Sequence, residues 1–238
     1  MELFEIIYSH IFFIVIAYLI GSVSSSIIIG KHFYGIDVRD YGSNNPGANN
    51  TQRVLGWKMG LIVFAFDVIK GVIAVQLVRF LPFEPETNPY VASQIVFGLA
   101  AILGHIFPVF HNFRGGKGVA TLVGVLLSIH PFAVLLCLIV FFIVFFITRY
   151  ISLSVIAAVT CFPFMVNFIF ALWLQPEETL TLKIFSIIAG VTIWLTHISN
   201  IKRIVNGKEE KFVIRNAQKP LKMCDINKTA PDDIQVQQ

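Results

Sequence analysis

Charge is scarce in this chain. Only 13% of its 238 residues are Asp, Glu, Lys or Arg, against about a quarter in a soluble domain, which excludes an ordinary water-soluble globule. Cysteine is scarce too: Cys137, Cys161 and Cys224 show neither metal-ligand nor disulfide spacing. Two of them sit in apolar runs, where a small buried hydrophobe is the expected role. No metal or other cofactor is expected. The opening MELFEIIYSH is acidic where a cleaved leader would be basic, so the first apolar stretch is expected to be retained. Internal repeats and low-complexity tracts are lacking, and no feature points to a nucleic-acid partner.

What the chain has in abundance is grease: 56% hydrophobic residues, 23 of them Phe. Ile11–Gly30 and Val119–Ile147 carry no Asp, Glu, Lys or Arg, and roughly 20 apolar residues suffice for a helix to cross about 30 Å of hydrocarbon. The expected fold is an all-α integral membrane protein. Candidate spans are about 9–30, 58–80, 91–111, 119–129, 132–148, 154–174 and 180–197.

The run over 119–147 could be one helix, but His130-Pro131 offers a break, because proline interrupts helix hydrogen bonding and disfavours helix in the residue before it. Charge arbitrates. With the run split, every Lys and Arg except Lys70, Arg79 and Lys183 falls on one side, and the opposite connections FEPETN and QPEET are acidic. Lys/Arg-rich loops are cytoplasmic. This gives about seven transmembrane helices, N-terminus outside and C-terminus cytoplasmic. Val119–Ile129 is then too short to cross, at about 1.5 Å of rise per residue, so either the bilayer is locally thin or the preceding GGKG segment dips into the membrane beside a wet cavity. Residues 1–212 read as one membrane domain and 213–238 as a mobile cytoplasmic tail.

Polar residues gather at helix ends: Tyr41–Arg53, Asn112–Gly118, Arg149–Ser154 and His197–Arg203. On this topology all four face the cytoplasm and can wall one anion pocket. Each alone could be ordinary loop chemistry, since Gly and Asn make turns and Arg snorkels. FRGGKG before a helix resembles a phosphate loop in kind, with unhindered backbone N–H groups at Gly115 and Gly116, a helix N-terminus and the Lys117 cation. It is not a nucleotide-binding Walker loop, because Gly118 stands where Ser or Thr should follow the lysine. Asp67 and Lys70 are three apart and are expected to pair within the bilayer, with substrate contact as the second reading; a lone charge there costs roughly 2.5–3.5 kcal/mol. His197 and Asn200 share a helical face, and His197 suits a general base or a hydrogen-bond donor to phosphate. His32 and Asp37 have the His-x4-Asp spacing of another acyltransferase class, read here as coincidence.

These segments together resemble the PlsY family, the bacterial integral-membrane acyl-phosphate:glycerol-3-phosphate acyltransferases. The resemblance covers about residues 10–212 and runs through Gly21-Ser22, Asp37-Val-Arg39-Asp-Tyr-Gly42-Ser43, Asn45-Pro-Gly-Ala, Asp67-Val-Ile-Lys70-Gly71, Gly104-His105-Ile-Phe-Pro108, Gly115-Gly-Lys-Gly118-Val-Ala-Thr121, Arg149-Tyr-Ile-Ser152 and His197…Asn200-Ile-Lys-Arg203. Two departures are Asn44 in place of a glycine and Asn49 in place of a threonine; Asn tolerates positive φ, so Asn44 is expected to keep the turn. The resemblance implies acyl transfer from acyl phosphate to the 1-hydroxyl of glycerol 3-phosphate, giving lysophosphatidate and phosphate at the inner face of a bacterial cell membrane. It implies a catalytic set of Ser43, Lys117, His197 and Asn200, with Asn45, Arg53, Gly115, Gly116 and Ser152 binding substrate. Membrane lipids are the surroundings, and a monomer is expected. The main alternative from another class is a transporter or channel for a phosphorylated anion, disfavoured by the missing repeat and by the one-sided basic charge. A binding protein that has lost activity is a third.

Overall fold

The computed structural model describes residues 3–85, 87–169 and 180–213. Among them it is entirely helical, with ten α-helices: α1 Leu3–Ser22, α2 Ser25–Tyr34, α3 Ala48–Leu55, α4 Trp57–Gln76, α5 Asn88–Ile106, α6 Val119–Ile129, α7 Pro131–Thr148, α8 Ile151–Phe164, α9 Leu180–Thr196 and α10 Ile198–Val205. Four stretches, Phe4–Ser22, Trp57–Phe80, Asn88–His111 and Pro131–Thr148, are long and apolar enough to cross a membrane. The bent pair α9–α10 makes up to five. α6 and the helix begun by α8 are shorter, and the end of the expected 154–174 span and the expected tail lie outside the described residues.

The described residues fall into two compact units, one made of those within 3–24 and 64–213, the other of 25–63. In the first, α1 lies against α5 and α4 against α6 through glycines. A Cβ on Gly104 would overlap the backbone of Tyr18 and Ser22, and one on Gly124 would overlap that of Val68. Small residues let membrane helices approach this closely, which matters where lipid offers no hydrophobic drive. The core of this unit is built on Ile102, Leu122, Val125, Val159, Phe162, Phe185 and Ile193. Outward, α7 exposes Leu135, Leu138, Ile139, Phe142, Ile143, Phe146 and Ile147, a surface suited to lipid.

Three helix breaks shape this unit. The expected 9–30 span is interrupted at Val23–Ser24 between α1 and α2, where serines bond backbone, as Ser22 Oγ does to Tyr18 O at 2.9 Å. The expected split at His130-Pro131 is present: His130 accepts from Ala133 N at 3.2 Å and Pro131 opens α7, a position where its missing N–H costs nothing. The third break, a bend of 57° between α9 and α10, has neither Gly nor Pro. Thr196 Oγ1 shares its one proton there between Ile193 O at 2.9 Å and Lys117 O at 3.2 Å.

The second unit has a core of Ile27, Ile29, Val38, Leu55 and Val63, and it carries Ser43 and Asn45 on the loop before α3 and Arg53 on α3 itself. Asn50 organises that loop. Its Nδ2 donates to Val38 O at 2.8 Å and Tyr41 O at 3.1 Å, and its Oδ1 accepts from Ser43 N at 2.8 Å. Asn44 adopts φ 57°, so the turn survives the loss of glycine as expected. Asp37 is engaged by Arg39 at 2.7 Å and Lys31 at 3.3 Å. Hydrogen bonds from Arg39 hold its carboxyl well below the usual carboxylate range, so the His32–Asp37 spacing builds no catalytic pair.

Candidate active site

Three of the four polar segments meet within the first unit. The loop after α5 delivers Lys117, the start of α8 delivers Ser152, and the kinked α9–α10 junction delivers His197 and Asn200. Lys117 Nζ donates to Asn200 Oδ1. Asn200 Nδ2 in turn donates to Ser152 Oγ at 2.6 Å and to Glu209 Oε1 at 2.8 Å. Ser152 Oγ donates to Glu209 Oε1 at 2.6 Å, and Arg203 Nε closes the chain on Glu209 Oε2 at 2.7 Å. The amide orientation follows from its neighbours: oxygen faces the cation and nitrogen faces the carboxylate. Ser152, His197, Asn200 and Glu209 are all buried, whereas Lys117 is only half-buried.

Each of these polar groups already has a protein partner. Ser152 directs its one proton at Glu209, and Asn200 directs its two at Ser152 Oγ and Glu209, an arrangement that holds the Asn200 oxygen toward Lys117. The glycine amides are likewise occupied: Gly115 N donates to Ile106 O at 3.1 Å and Gly116 N to His105 O at 3.0 Å. Their contribution is shape, because a Cβ on either would overlap the end of α5. The loop then enters α6 through Gly118 at φ 83°, a left-handed geometry that favours glycine.

His197 sits at the bend. Its Nδ1 lies 2.8 Å from Ile193 O, and since a carbonyl only accepts, the ring proton belongs on Nδ1. Neutral His197 therefore presents Nε2 as an acceptor, which does not suit the expected donation to phosphate.

Glu209, Thr196 and Asn50 were not singled out from the sequence. Glu209 sits among Gly207-Lys208-Glu209-Glu210-Lys211, which reads as a solvated charged stretch, yet its side chain is 2% exposed. Phe212 N bonds Arg149 O at 2.8 Å, folding this segment back on the α7–α8 junction. Burial opposes the charge on Glu209, but hydrogen bonds from Ser152, Arg203 and Asn200 outweigh it and hold the carboxyl below its ordinary 4.5. The Asp67–Lys70 pair is present at 2.9 Å. Among the described residues no group of three or more His, Cys, Asp or Glu could hold a metal ion. Ser43, Asn45 and Arg53 lie in the second unit, each half-buried.

The family model of glycerol-3-phosphate acyltransferase matches residues 11–207. Glycerol-3-phosphate acyltransferase 2 of Bacillus anthracis is 44% identical over 204 residues, spanning 86% of this chain and all of that one. The crystal structure of PlsY, an integral membrane glycerol 3-phosphate acyltransferase, in its glycerol 3-phosphate form superposes with a TM-score of 0.74 at 35% identity, covering 86% of this chain and 96% of that one. Its lysophosphatidic acid form gives 0.71 at 33% identity, over 87% and 96%. With its apolar helices and this likeness, the chain is a multi-pass membrane protein and belongs to the glycerol-3-phosphate acyltransferase family, the PlsY family.

Proposed function

We propose that this protein transfers a fatty acyl group from acyl phosphate to the 1-hydroxyl of glycerol 3-phosphate at the cytoplasmic face of a bacterial inner membrane. The hydroxyl oxygen bonds to the acyl carbon, the carbon–oxygen bond to phosphate breaks, and lysophosphatidate and phosphate leave. The observation that carries this reading is a half-buried lysine pinned by a buried Asn–Ser–Glu chain beside a glycine-shaped loop. Such a cation is preorganised for a phosphoryl group whose negative charge grows as the bond to carbon breaks. The glycerol 3-phosphate and lysophosphatidic acid forms of the PlsY relative support the acceptor and the product.

Acyl phosphate is already activated, so positioning and charge stabilisation supply most of the acceleration. Lys117 and the first-turn amides of α6 stabilise the departing phosphate. Arg53 adds charge against phosphate, and Ser43 and Asn45 add hydrogen bonds; for these three the support is their chemistry and their motif match. His197 Nε2 accepts from the glycerol 2-hydroxyl, and the departing phosphate takes the proton of the attacking 1-hydroxyl. The membrane arrangement of seven segments, N-terminus outside and C-terminus inside, rests on the Lys/Arg distribution. Residues 1–212 act as one catalytic domain, with 213–238 as a tail and the monomer as the working unit.

Two experiments test this. Purified protein given acyl phosphate and glycerol 3-phosphate is expected to release phosphate and form lysophosphatidate in equal amounts, with no product from acyl-CoA. Turnover with acyl-CoA alone would overturn the donor assignment, and glycerol 3-phosphate uptake into vesicles without transfer would restore the transporter. His197→Gln keeps an acceptor near Nε2 but no basicity. It is expected to hold kcat within about tenfold and raise KM for glycerol 3-phosphate, because general-base loss costs about 10²–10⁴. A fall of that size at unchanged KM makes His197 the base.

A further inference from the structure

Asp67, Lys70 and His105 form a polar island inside the first unit that the reaction above does not use. Lys70 Nζ lies 2.9 Å from Asp67 Oδ1, 2.8 Å from Val23 O and 2.8 Å from His105 Nδ1. An ammonium has three protons and here three acceptors, so Lys70 has nothing left to offer a ligand. One of those acceptors, Val23 O, is a carbonyl at the broken end of α1, which would otherwise lack a helical partner. Because His105 Nδ1 receives the ammonium proton, the ring's own proton lies on Nε2 and the ring orientation is fixed. Asp67 Oδ1 is a further 3.7 Å from Nδ1.

Offsetting a charge within the bilayer needs only the Asp67–Lys70 pair. The third partner is surplus to that need, and it leads to the glycine loop. The Nε2 edge of His105 lies against Gly116, where a Cβ would overlap the ring. Its carbonyl accepts from Gly116 N and the next one, Ile106 O, accepts from Gly115 N. Two consecutive loop amides are thus tied to the end of α5, whose terminal ring is set by α4. Lys117 follows directly.

We propose that the Asp67–Lys70–His105 network is a positioning device for the Gly115–Lys117 loop, which places the Lys117 cation against the phosphoryl group of the acyl donor. This rests on the reading of Lys117 given above. The network works through the loop, not on substrate, much as outer partners orient the ligands of a metal centre.

A mutant cycle with a second, activity-free measurement tests it. Gly116→Ala puts a methyl into the His105 ring, while His105→Asn keeps an acceptor near Nδ1 for Lys70 and removes the Nε2 edge. Gly116→Ala is expected to lower kcat/KM for acyl phosphate about 100-fold, and His105→Asn alone about tenfold, with KM for glycerol 3-phosphate moving less than about threefold. In the double variant, His105→Asn should recover about tenfold of the Gly116→Ala loss, a reversal of sign that independent sites do not give. Amide hydrogen exchange over 112–118 should quicken about tenfold in His105→Asn, with α7 and α9 unchanged. Losses that multiply in the double variant, or exchange that leaves the loop unaffected, overturn the proposal. If wild-type protein does not use acyl phosphate, the donor reading falls, and the exchange arm still decides whether His105 holds the loop.

Discussion

Lys117→Met is expected to lower kcat/KM for acyl phosphate by about three orders of magnitude while leaving Tm close to wild type. Removing one preorganised donor from a developing anion costs about 10²–10³ in kcat, or 2.7–4 kcal/mol, and a full charge belongs at the upper end. The position makes this more than a surface charge deletion. Lys117 is half-buried, and the buried Asn200 carbonyl aims its ammonium. Asn200 cannot rotate to serve another partner, because both its protons are engaged by Ser152 and Glu209. Met preserves the apolar stem and tests the charge alone. Steady-state kinetics on the purified variant checks the result; a loss smaller than about tenfold would remove Lys117 from the phosphoryl group.

The second large effect concerns stability. Glu209→Ala is expected to destabilise the protein by about 3 kcal/mol, at the lower end of what removing one partner of a buried ion pair costs. The lower end applies because the Arg203 side chain is 34% exposed and can turn to water. Most of the loss comes from Ser152 and Asn200, buried at 4% and 2% exposure and left short of an acceptor. Glu209→Gln should lose less, since an amide oxygen still accepts. The pH dependence follows in sign. A carboxyl held below 4.5 in the folded protein contributes stability that is fully present above 4.5 and fades as pH falls through the folded value. The Tm gap between wild type and Glu209→Gln should therefore be constant near neutrality and close below about pH 4.5. A gap that widens on acidification contradicts the network.

Helical class and one of the three breaks were legible from local chemistry, whereas the interruption at Val23–Ser24 fell inside an expected continuous span. His130-Pro131 carries its stop signal in two residues, and Asn44 keeps a positive φ because Asn tolerates it. Asp67 and Lys70 announce their pairing by spacing alone. Three features of the site were hidden for a common reason: their partners are distant in sequence. The α9–α10 bend has no Gly or Pro and coincides with Thr196 reaching across to Lys117 O. Glu209 reads as a tail residue until Ser152 comes beside it. The Gly115 and Gly116 amides look available for an anion until the end of α5 is seen to accept both. A glycine-rich motif tells that the backbone is unhindered, not what it bonds.

The most direct test is a structure of the protein with a non-hydrolysable acyl phosphonate in place of the acyl donor. A phosphonate oxygen is expected within about 3 Å of Lys117 Nζ, at hydrogen-bond distance, with the Asn200–Ser152–Glu209 chain intact behind it. A phosphonate bound more than about 10 Å from Lys117, beyond one Debye length at 0.1 M salt, would contradict the account.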